Sequence, residues 1–577
     1  MSPLLSAAIV STTLLALAPS LARANVVAPS VVSAARPAKP VVKDPNVPSA
    51  AEVLLGDRLF FDSRFSQYFF ANSNGDVNAK LAEGDPVMAP MPALAGTTLL
   101  GQPLEGRFRG QSMNCRNCHL GDDFLYEQPL AGRTYCDFSV RSPIPARSDG
   151  QVETPRNAPL MINLGLPREV PELLHFDGEF ASMEDLVIDT MTGRNFGWLP
   201  NEVPQAVAHI AKVIREDEGT NPRLVKYLYG AGVPYRDAMA GDPNLPYDLR
   251  IPPEYRIDVD SASDEEILFA IGRLMHAYTN SLRFGTKNTR RTAGSPYDLF
   301  IAKNRLPPGP AENETERAYA QRLLRALERR ESFDWITPAD GEFELHRQAY
   351  EFGPLELQGL EIFLRRAGSE LESHVGNCVA CHPPPQFTDY RLHNNGVAQA
   401  QYDAVFGEGA FAALDIPDLA ERAANHEAYL PATPKHPRGT GRFKSPPSKE
   451  RPGHADLGVW NVFANPDMPK PQSALRHILC GPEAAGGAEC RDEDVLPRTV
   501  ALFKTPSIRD LGQSNPYFHS GSLGTIEEVL RYYVVTSDQA RAGELRNGSP
   551  EMAGVQIDES DVPALAAFLR SLNEDYH

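Results

Sequence analysis

CRNCH at residues 115–119 and CVACH at residues 378–382 share one pattern, in which two cysteines are separated by two residues and followed at once by a histidine. Two thiols at this spacing can bond covalently to the two vinyl groups of one porphyrin, and the adjacent histidine can then ligate the iron. A thioredoxin-like redox pair does not need the histidine, and a zinc site needs a second pair of ligands nearby. We therefore predict two covalently bound c-type haems. The attachment points are Cys115, Cys118, Cys378 and Cys381, and the iron ligands are His119 and His382.

The other three cysteines are Cys136, Cys480 and Cys490. Disulfides persist in oxidising compartments, and there Cys480 and Cys490 could close a short loop. We predict this disulfide, and we expect Cys136 to be a buried, unreactive thiol.

The N-terminal segment carries no charged side chain up to Ala22, where Ala22-Arg23-Ala24 offers an Ala-x-Ala cleavage site. This predicts a signal peptide at residues 1–24 and export to the periplasm. No Lys or Arg precedes the apolar run, and the run is long enough to span a bilayer, so an uncleaved membrane anchor is the alternative. Residues 25–48 are rich in Val, Ala and Pro without helical periodicity, which predicts a linker.

The patterning of the remaining chain predicts a mainly α fold with long irregular loops. At 577 residues the chain is too long for one small core. Apolar residues recur at helical spacing from Ala51, from Asp264 and from Glu356, whereas residues 383–500 are rich in Pro and Gly and should hold few helices. We predict one haem domain at residues 49–260 and a second at residues 261–577, opened by the helix from Asp264.

The net charge of the chain is strongly negative, at −19. Nucleic-acid phosphates would be repelled rather than neutralised, so a nucleic-acid partner is excluded. A basic or neutral protein is the easier partner.

The residues around both motifs resemble the bacterial di-haem cytochrome c peroxidase superfamily, which includes the MauG enzymes. The insertions at 67–111 and within 398–500 have no counterpart in the short peroxidases. The resembling blocks cover about half the chain in the family's order: GDRLFFDSRFS (56–66), TPRNAPLMIN (154–163), HFDGEFASMEDL (175–186), AIGRLMHAYTNSL (270–282), SPYDLF (295–300), CVACHPPPQFTDYRLHNNGV (378–397) and FKTPSIRDLGQSNPYFHSGSLGTIEEVLRYY (503–533).

The resemblance implies two cytochrome-c-like domains whose haems meet at the interface, the first handling peroxide and the second relaying electrons. In the family, the sixth ligand of the relay haem lies fourteen residues after the histidine of YFHSG. That histidine is His519 here, and the ligand position is Tyr533. Short peroxidases place Met there and MauG-like members Tyr, whose phenolate oxygen lowers the potential of the iron. Packing of Tyr533 on the haem is the alternative, with Tyr532 and Met552 as weaker substitutes for the ligand.

The first haem is expected to have an open sixth position. Short peroxidases carry a distal histidine between the first motif and the PRN segment, and residues 120–153 contain no histidine. The tryptophan that lies between the haems in the family corresponds to Phe176, which should contact the cofactors but lacks an indole N–H. His175 and His519 are not assigned as iron ligands.

Two polar side chains are candidates for catalysis at the first haem. The family's distal Gln and Glu fall on Leu186 and Phe196 here. Asp189 could instead shuttle protons, and Arg194 could stabilise charge that develops on oxygen. The alternative is that Asp189 and Arg194 serve structure or the haem propionates.

The resemblance also implies a Ca²⁺ ion between the domains. The side chain of Asn157 and main-chain oxygens near Ser514 and Pro516 would bind it, and such oxygens are suitable calcium donors. A simple turn role for Asn157 is the alternative.

Together these features predict a periplasmic di-haem oxidoreductase that reacts with hydrogen peroxide, as a monomer or homodimer. Its electrons would come from a small cytochrome c, a cupredoxin or a protein side chain. One alternative is a di-haem oxygenase, which the apolar Phe196 favours because an apolar distal face suits dioxygen. The other is an electron carrier without catalytic activity.

Overall fold

Helices account for most of the regular structure, so the predicted mainly α class is confirmed. The computed structural model describes residues 50–80, 114–115, 118–119, 144–166, 168–220, 232–283, 294–343, 346–368, 373–482 and 490–574. Within these ranges the one regular sheet is an antiparallel pair, Leu392–His393 (β1) with Phe503–Lys504 (β2). The predicted signal peptide, the linker and Cys136 lie outside the described residues.

A first apolar core is built from helices on both sides of the first motif in the chain. Its described helices are Ala51–Phe61 (α1), Gln67–Asn72 (α2), Met183–Thr192 (α3), Val203–Glu216 (α4), Tyr235–Ala240 (α5) and Asp264–Ser281 (α6).

Helix α6 begins where the sequence predicts it, but it packs in the first core. A capping box fixes its start, because the Ser263 hydroxyl accepts from the Glu266 amide and the Glu266 carboxylate accepts from the Ser263 amide. Its buried face, which includes Ile271 and Leu274, contacts α1, α3 and α4. The boundary predicted at 260/261 is therefore misplaced, since it separates this helix from the core that buries it.

A second apolar core surrounds the helices that flank the second motif. Its described helices are Pro296–Lys303 (α7), Glu316–Glu328 (α8), Pro354–Leu364 (α9), Ile526–Ala542 (α15) and Val562–Arg570 (α16).

Each of the two cores contains a close helix–helix crossing that requires a glycine. A Cβ atom on Gly56 of α1 would lie 2.1 Å from the carbonyl oxygen of Leu274 on α6. A Cβ atom on Gly359 of α9 would lie 2.0 Å from the carbonyl oxygen of Ala564 on α16. Only glycine allows so close an approach. Each crossing involves the helix that precedes a CxxCH motif, which supports two haem domains of similar design.

The insertion at 398–500 forms a third apolar core, which the sequence analysis did not predict. Trp460 and Phe463 are fully buried in it. The expectation of few helices here is wrong: short helices alternate with the Pro-rich connections, which interrupt helical periodicity. They are Val397–Phe406 (α10), Leu419–Ala424 (α11), His426–Tyr429 (α12), Gln472–Cys480 (α13) and Asp492–Val495 (α14).

The predicted disulfide between Cys480 and Cys490 is confirmed, and it closes the loop after α13. All three cores lie in one compact unit that spans residues 42–577. No helix among the described residues is long and apolar enough to cross a membrane.

Candidate haem centres

The second motif folds into a tight turn that orients its histidine. Residues Cys378–Ala380 form one turn of 3-10 helix, and the His382 amide donates to the Cys378 carbonyl over 2.8 Å. The His382 Nδ1 lies 2.9 Å from the carbonyl oxygen of Phe387. Because a carbonyl can only accept, this contact places the ring proton on Nδ1 and leaves the lone pair on Nε2 for iron. The geometry of His382 therefore fits a haem ligand.

Tyr533 lies on α15 beside the same motif. Burial and the neighbouring Cys381 and Cys378 raise the pKa of its phenol to about 12, although the Asn395 side-chain amide donates to the phenol oxygen over 3.2 Å. The adjacent Tyr532 instead donates its hydroxyl to the Asn395 carbonyl over 2.8 Å. Asn395 thus orients two tyrosines, and the phenol oxygen of Tyr533 is the one near the cysteines. Its bond to iron stays a prediction.

A histidine without a predicted role lies beside Cys381. His393 Nε2 is 3.0 Å from a carboxylate oxygen of Asp389, and its Nδ1 is 3.7 Å from the carboxylate of Glu551. Burial alone would lower its pKa, but the hydrogen bonds to Asp389, Cys381 and Glu551 raise the pKa of His393 to about 12. The two neighbouring carboxylates therefore favour the protonated form of His393 next to a haem attachment point. The segment RLHNNGV resembles the family, but nothing in the sequence pairs His393 with Glu551.

The first motif forms the same turn as the second, and it lies against the C-terminal end of α1. The His119 amide donates to the Cys115 carbonyl over 3.0 Å, as His382 does to Cys378. The Asn114 side chain donates to the Phe61 carbonyl over 2.9 Å and so attaches the motif to α1. Burial, and next the charge of His175, lower the pKa of His119 to about 4. The imidazole is therefore neutral, as an iron ligand must be.

Asp189 lies near a cluster of charged groups close to the first motif. His175 Nδ1 lies 3.1 Å from Glu179, and the Lys444 ammonium lies 2.9 Å from the other oxygen of Glu179. Burial, followed by the charge of Glu179, raises the pKa of the Asp189 carboxyl to about 6. The charge of His175 acts on both Asp189 and His119, which connects the cluster to the first motif. Asp189 is a candidate from the sequence, whereas Glu179 carries no signal there that marks it.

Arg194 has contacts of a different kind. Its Nε lies 2.6 Å from the Asp149 carboxylate, and its Nη2 donates to the carbonyls of Pro145 and Gln151 over 2.9 and 3.0 Å. These bonds anchor the loop at 145–151. They support the structural alternative for Arg194 rather than the catalytic one.

Phe176 lies in an aromatic contact chain between the third core and the C-terminal segment. Its ring centroid is 6.4 Å from that of His519, which stacks on Phe503 at 3.7 Å. The Lys504 amide donates to the Phe176 carbonyl over 2.6 Å. Burial lowers the pKa of His519 to about 4, so this imidazole is neutral. The structure brings Phe176 and His519 together, whereas the sequence only indicates each of them separately.

Arg156 of the PRN segment bridges two buried carboxylates. Its guanidinium lies 2.5 Å from Asp177 and 2.6 Å from Asp456, and side-chain exposures are 7%, 0% and 5%. Burial alone would raise the pKa of Asp456, but the charge of Arg156 lowers it. Because Asp456 belongs to the insertion, this bridge fastens the third core to the PRN segment.

Arg168 and Arg283 lie near Tyr390, which follows the second motif, and Lys504 lies near Arg168. The Arg168 guanidinium lies 4.4 Å over the Tyr390 ring and 3.4 Å from Glu172. Burial and the charge of Arg168 lower the pKa of Lys504 to about 8, and burial lowers the pKa of Arg283. Cations whose pKa values fall in this way favour a bound anion. A haem propionate has the required charge.

Asn157 meets the C-terminal segment as the calcium prediction requires, but through its nitrogen. Its Nδ2 donates to the carbonyls of Pro516 and Phe518 over 2.7 and 2.8 Å. Its buried Oδ1 has no hydrogen-bond partner. Rotating the amide by half a turn would direct three oxygens to one point, which is a donor set suited to Ca²⁺. The amide and the hydroxyl of Ser514 donate to the Leu511 carbonyl over 3.3 and 3.5 Å.

Comparison with known proteins supports the resemblance seen in the sequence. No family model matches the chain. MauG from Methylorubrum extorquens is 40% identical over 95 residues, which are 16% of this chain and 25% of that protein. The cytochrome c peroxidase IdrP1 from Denitromonas iodatirespirans is 29% identical over 206 residues, which are 36% of this chain and 39% of that protein. The chain is related to MauG and the di-haem cytochrome c peroxidases.

The matched region covers less than two thirds of the length of MauG and of IdrP1. Among solved structures, the di-haem peroxidase BthA from Burkholderia thailandensis superposes with a TM-score of 0.42 at 15% identity, over 93% of this chain and 90% of that chain.

Proposed function

We propose that this protein is a di-haem c-type oxidoreductase that reacts with hydrogen peroxide at the first haem and relays oxidising equivalents through the second. The observation that carries the proposal is the difference between the two sites. Tyr533 lies beside the second motif, held by Asn395, whereas residues 120–153 after the first motif contain no histidine. When bound, haem supplies a redox-active iron at each site.

At the second site two side chains are oriented to ligate the iron, and one of them would bind as an anion. The Phe387 carbonyl orients His382, and the Asn395 amide orients the phenol of Tyr533. The cations Arg168, Arg283 and Lys504 would meet haem propionates. A phenolate ligand stabilises oxidised iron more than a thioether does. This supports a second haem that stores oxidising equivalents.

At the first site, the chain's contribution is proton transfer. We assign Asp189 as the group that accepts and returns the proton of bound peroxide. The carboxyl lies within the electrostatic reach of His175 and Glu179, is open to a reactant at the surface, and has a pKa raised to about 6. A general base works best when its pKa lies near the working pH. Phe196 is buried in the first core and offers no proton.

Replacing Asp189 with Asn should lower the rate of the reaction with peroxide about 100-fold near neutral pH. Asp189 accepts a proton only when ionised, so the wild-type rate should rise with pH through about 6 and then level off. The Asp189→Asn rate should lack this rise. Stopped-flow absorbance of the haem-loaded protein, recorded between about pH 5 and pH 8, measures both effects.

Asp185→Asn is the matched control, because Asp185 is on the same helix and contacts the exposed Lys470 ammonium at 2.5 Å. It should keep the wild-type rate and pH profile. An Asp189→Asn protein with the wild-type profile would remove Asp189 from the reaction.

The function itself is tested by peroxide consumption with an artificial one-electron donor. The wild-type protein should turn over, and a Cys115→Ala/Cys118→Ala variant, which cannot attach the first haem, should not. The Cys378→Ala/Cys381→Ala variant should react with peroxide but fail to sustain turnover. A wild-type protein that ignores peroxide and instead forms a stable dioxygen complex would replace the proposal with the oxygenase alternative.

We also propose one Ca²⁺ ion at Asn157, with main-chain oxygens of the segment around Ser514 and Pro516. Elemental analysis should find one calcium per chain, and Asn157→Leu should lose it while Asn72→Ala, an exposed control, keeps it. Removal of calcium with a chelator should slow peroxide turnover in the wild type. Equal calcium content in Asn157→Leu and wild type would contradict the site.

We propose a periplasmic location, with residues 1–24 as the signal peptide. A small cytochrome c, a cupredoxin or a protein side chain would donate electrons. The net charge of −19 favours a donor with a basic surface.

A further inference from the structure

Three side chains able to ligate a metal converge in the third core, outside both haem motifs. They are His426 on α12, His436 in the following loop and Asp467, and one ligand atom from each lies within 4.8 Å of the others. The Asp467 carboxylate oxygen is 2.7 Å from His436 Nδ1 and 3.5 Å from His426 Nε2. The two imidazole rings stack at 3.9 Å.

His426 is a buried histidine whose ring nitrogens are poorly satisfied by hydrogen bonds. The residue is only 6% exposed, and neither of its ring nitrogens makes a hydrogen bond of normal geometry, although the Asn465 side chain lies next to the ring. A buried polar side chain normally makes such a bond, because leaving it unpaired costs about 1–3 kcal/mol. Nε2 of His426 faces Asp467, so the unpaired nitrogen is directed into the cluster.

The carboxylate of the cluster is held in place by its own neighbours. The Thr433 hydroxyl donates to the same Asp467 oxygen that faces both histidines, and it accepts from the His436 amide over 3.1 Å. Such outer contacts orient the ligands of metal sites. Two cations face the cluster: the Lys435 ammonium lies 3.8 Å from the other Asp467 oxygen, and the charge of Arg422 acts on His426.

We propose that His426, His436 and Asp467 bind one divalent transition-metal ion of the zinc class. Two imidazoles and one carboxylate are donors for such ions, whereas calcium prefers oxygen ligands alone. Ligands of a tetrahedral zinc ion with bonds of about 2.0 Å lie roughly 3.3 Å apart. The 3.5 Å contact has this spacing, and the 2.7 Å contact needs to open slightly as the ion displaces the shared proton.

The ion would join separate segments of the insertion. His426 and His436 flank a Pro-rich loop, and Asp467 follows the buried segment that contains Trp460. His436 is 37% exposed in its side chain, which leaves an entry path and a fourth position for water. We therefore expect an ion that stabilises the third core and exchanges with solvent.

Zinc binding to the chelator-stripped, haem-loaded full chain tests this directly. Elemental analysis after zinc addition and dialysis should find one zinc for every two irons. Competition with a chromophoric zinc chelator should show an affinity at least about 100-fold weaker for His436→Ala and for the nearly isosteric Asp467→Asn. Zinc should also raise the melting temperature of the wild type but not of these variants.

His477→Ala is the matched control, since His477 lies on α13 in the same core but outside the cluster. It should bind zinc like the wild type. Haem absorbance reports that each variant is folded and does not depend on zinc or on peroxide activity. An iron-only protein after zinc addition, or wild-type zinc affinity in both cluster variants, would overturn the proposal.

Discussion

Replacing Tyr533 with Phe should remove the low-spin signal of the second haem and lower peroxide-driven turnover by about 100-fold or more. The phenol oxygen lies near Cys378 and Cys381 and receives a hydrogen bond from Asn395 over 3.2 Å, so phenylalanine removes the donor atom and little volume. Replacing a group that only orients a metal ligand already lowers metal affinity or activity about 10- to 100-fold. Loss of the ligand itself should lower them at least as much. Electron paramagnetic resonance and steady-state turnover measure the two effects.

Tyr532→Phe is the control for that experiment. Tyr532 is the adjacent residue on α15, and its hydroxyl bonds the carbonyl of Asn395 rather than receiving the amide. Its removal should leave the haem signals and turnover close to wild type. If Tyr533→Phe also keeps both, Tyr533 only packs on the haem, and the relay role of the second site fails.

Replacing Arg156 with Leu should lower the free energy of unfolding by about 3–5 kcal/mol. The guanidinium is the bridge between Asp177 and Asp456, both almost fully buried, and its loss leaves the Asp456 carboxylate without a counter-charge. Asp177 keeps the Lys444 ammonium at 3.3 Å. Urea unfolding followed by tryptophan fluorescence measures the change.

The destabilisation should depend on pH in a defined direction. In the wild type, Asp456 has a lowered pKa, so its contribution to stability is present above the unfolded value of about 3.9 and is lost as the pH falls through the folded value. In Arg156→Leu the buried carboxyl should have a raised pKa instead, so mild acid should reduce the difference between variant and wild type.

Arg215→Ala gives the comparison for a partly exposed pair. Arg215 and Asp264 are 29% and 33% exposed at 2.6 Å, and such pairs are worth about 1 kcal/mol or less. A loss in Arg156→Leu no larger than in Arg215→Ala, at every pH, would contradict the proposed bridge.

Long periodic segments were predictable from the sequence, and short ones were not. The helices α1, α6 and α9 contain 11, 18 and 11 residues, which is enough for an apolar face to repeat. The helices α12 and α14 contain four residues each, too few for any period. The third core was missed for this reason, although its disulfide could be inferred from the spare cysteines.

The haem attachment sites were likewise predictable, because their residues are adjacent in the chain. The groups that complete each site are not. Asn395 meets Tyr533, and Arg156 meets Asp456, only after distant segments pack together. Such pairs cannot be predicted from local sequence patterns. For the same reason the sequence alone makes Arg194 a plausible catalytic residue, whereas in the structure it bonds to the loop at 145–151.

The two proposed haems differ in their sixth ligand. Electron paramagnetic resonance of the fully ferric, haem-loaded protein tests it most directly. We expect one high-spin signal from the first haem and one low-spin signal from the second haem, which His382 and Tyr533 would ligate, with both altered by peroxide. Two low-spin signals that peroxide leaves unchanged would contradict it.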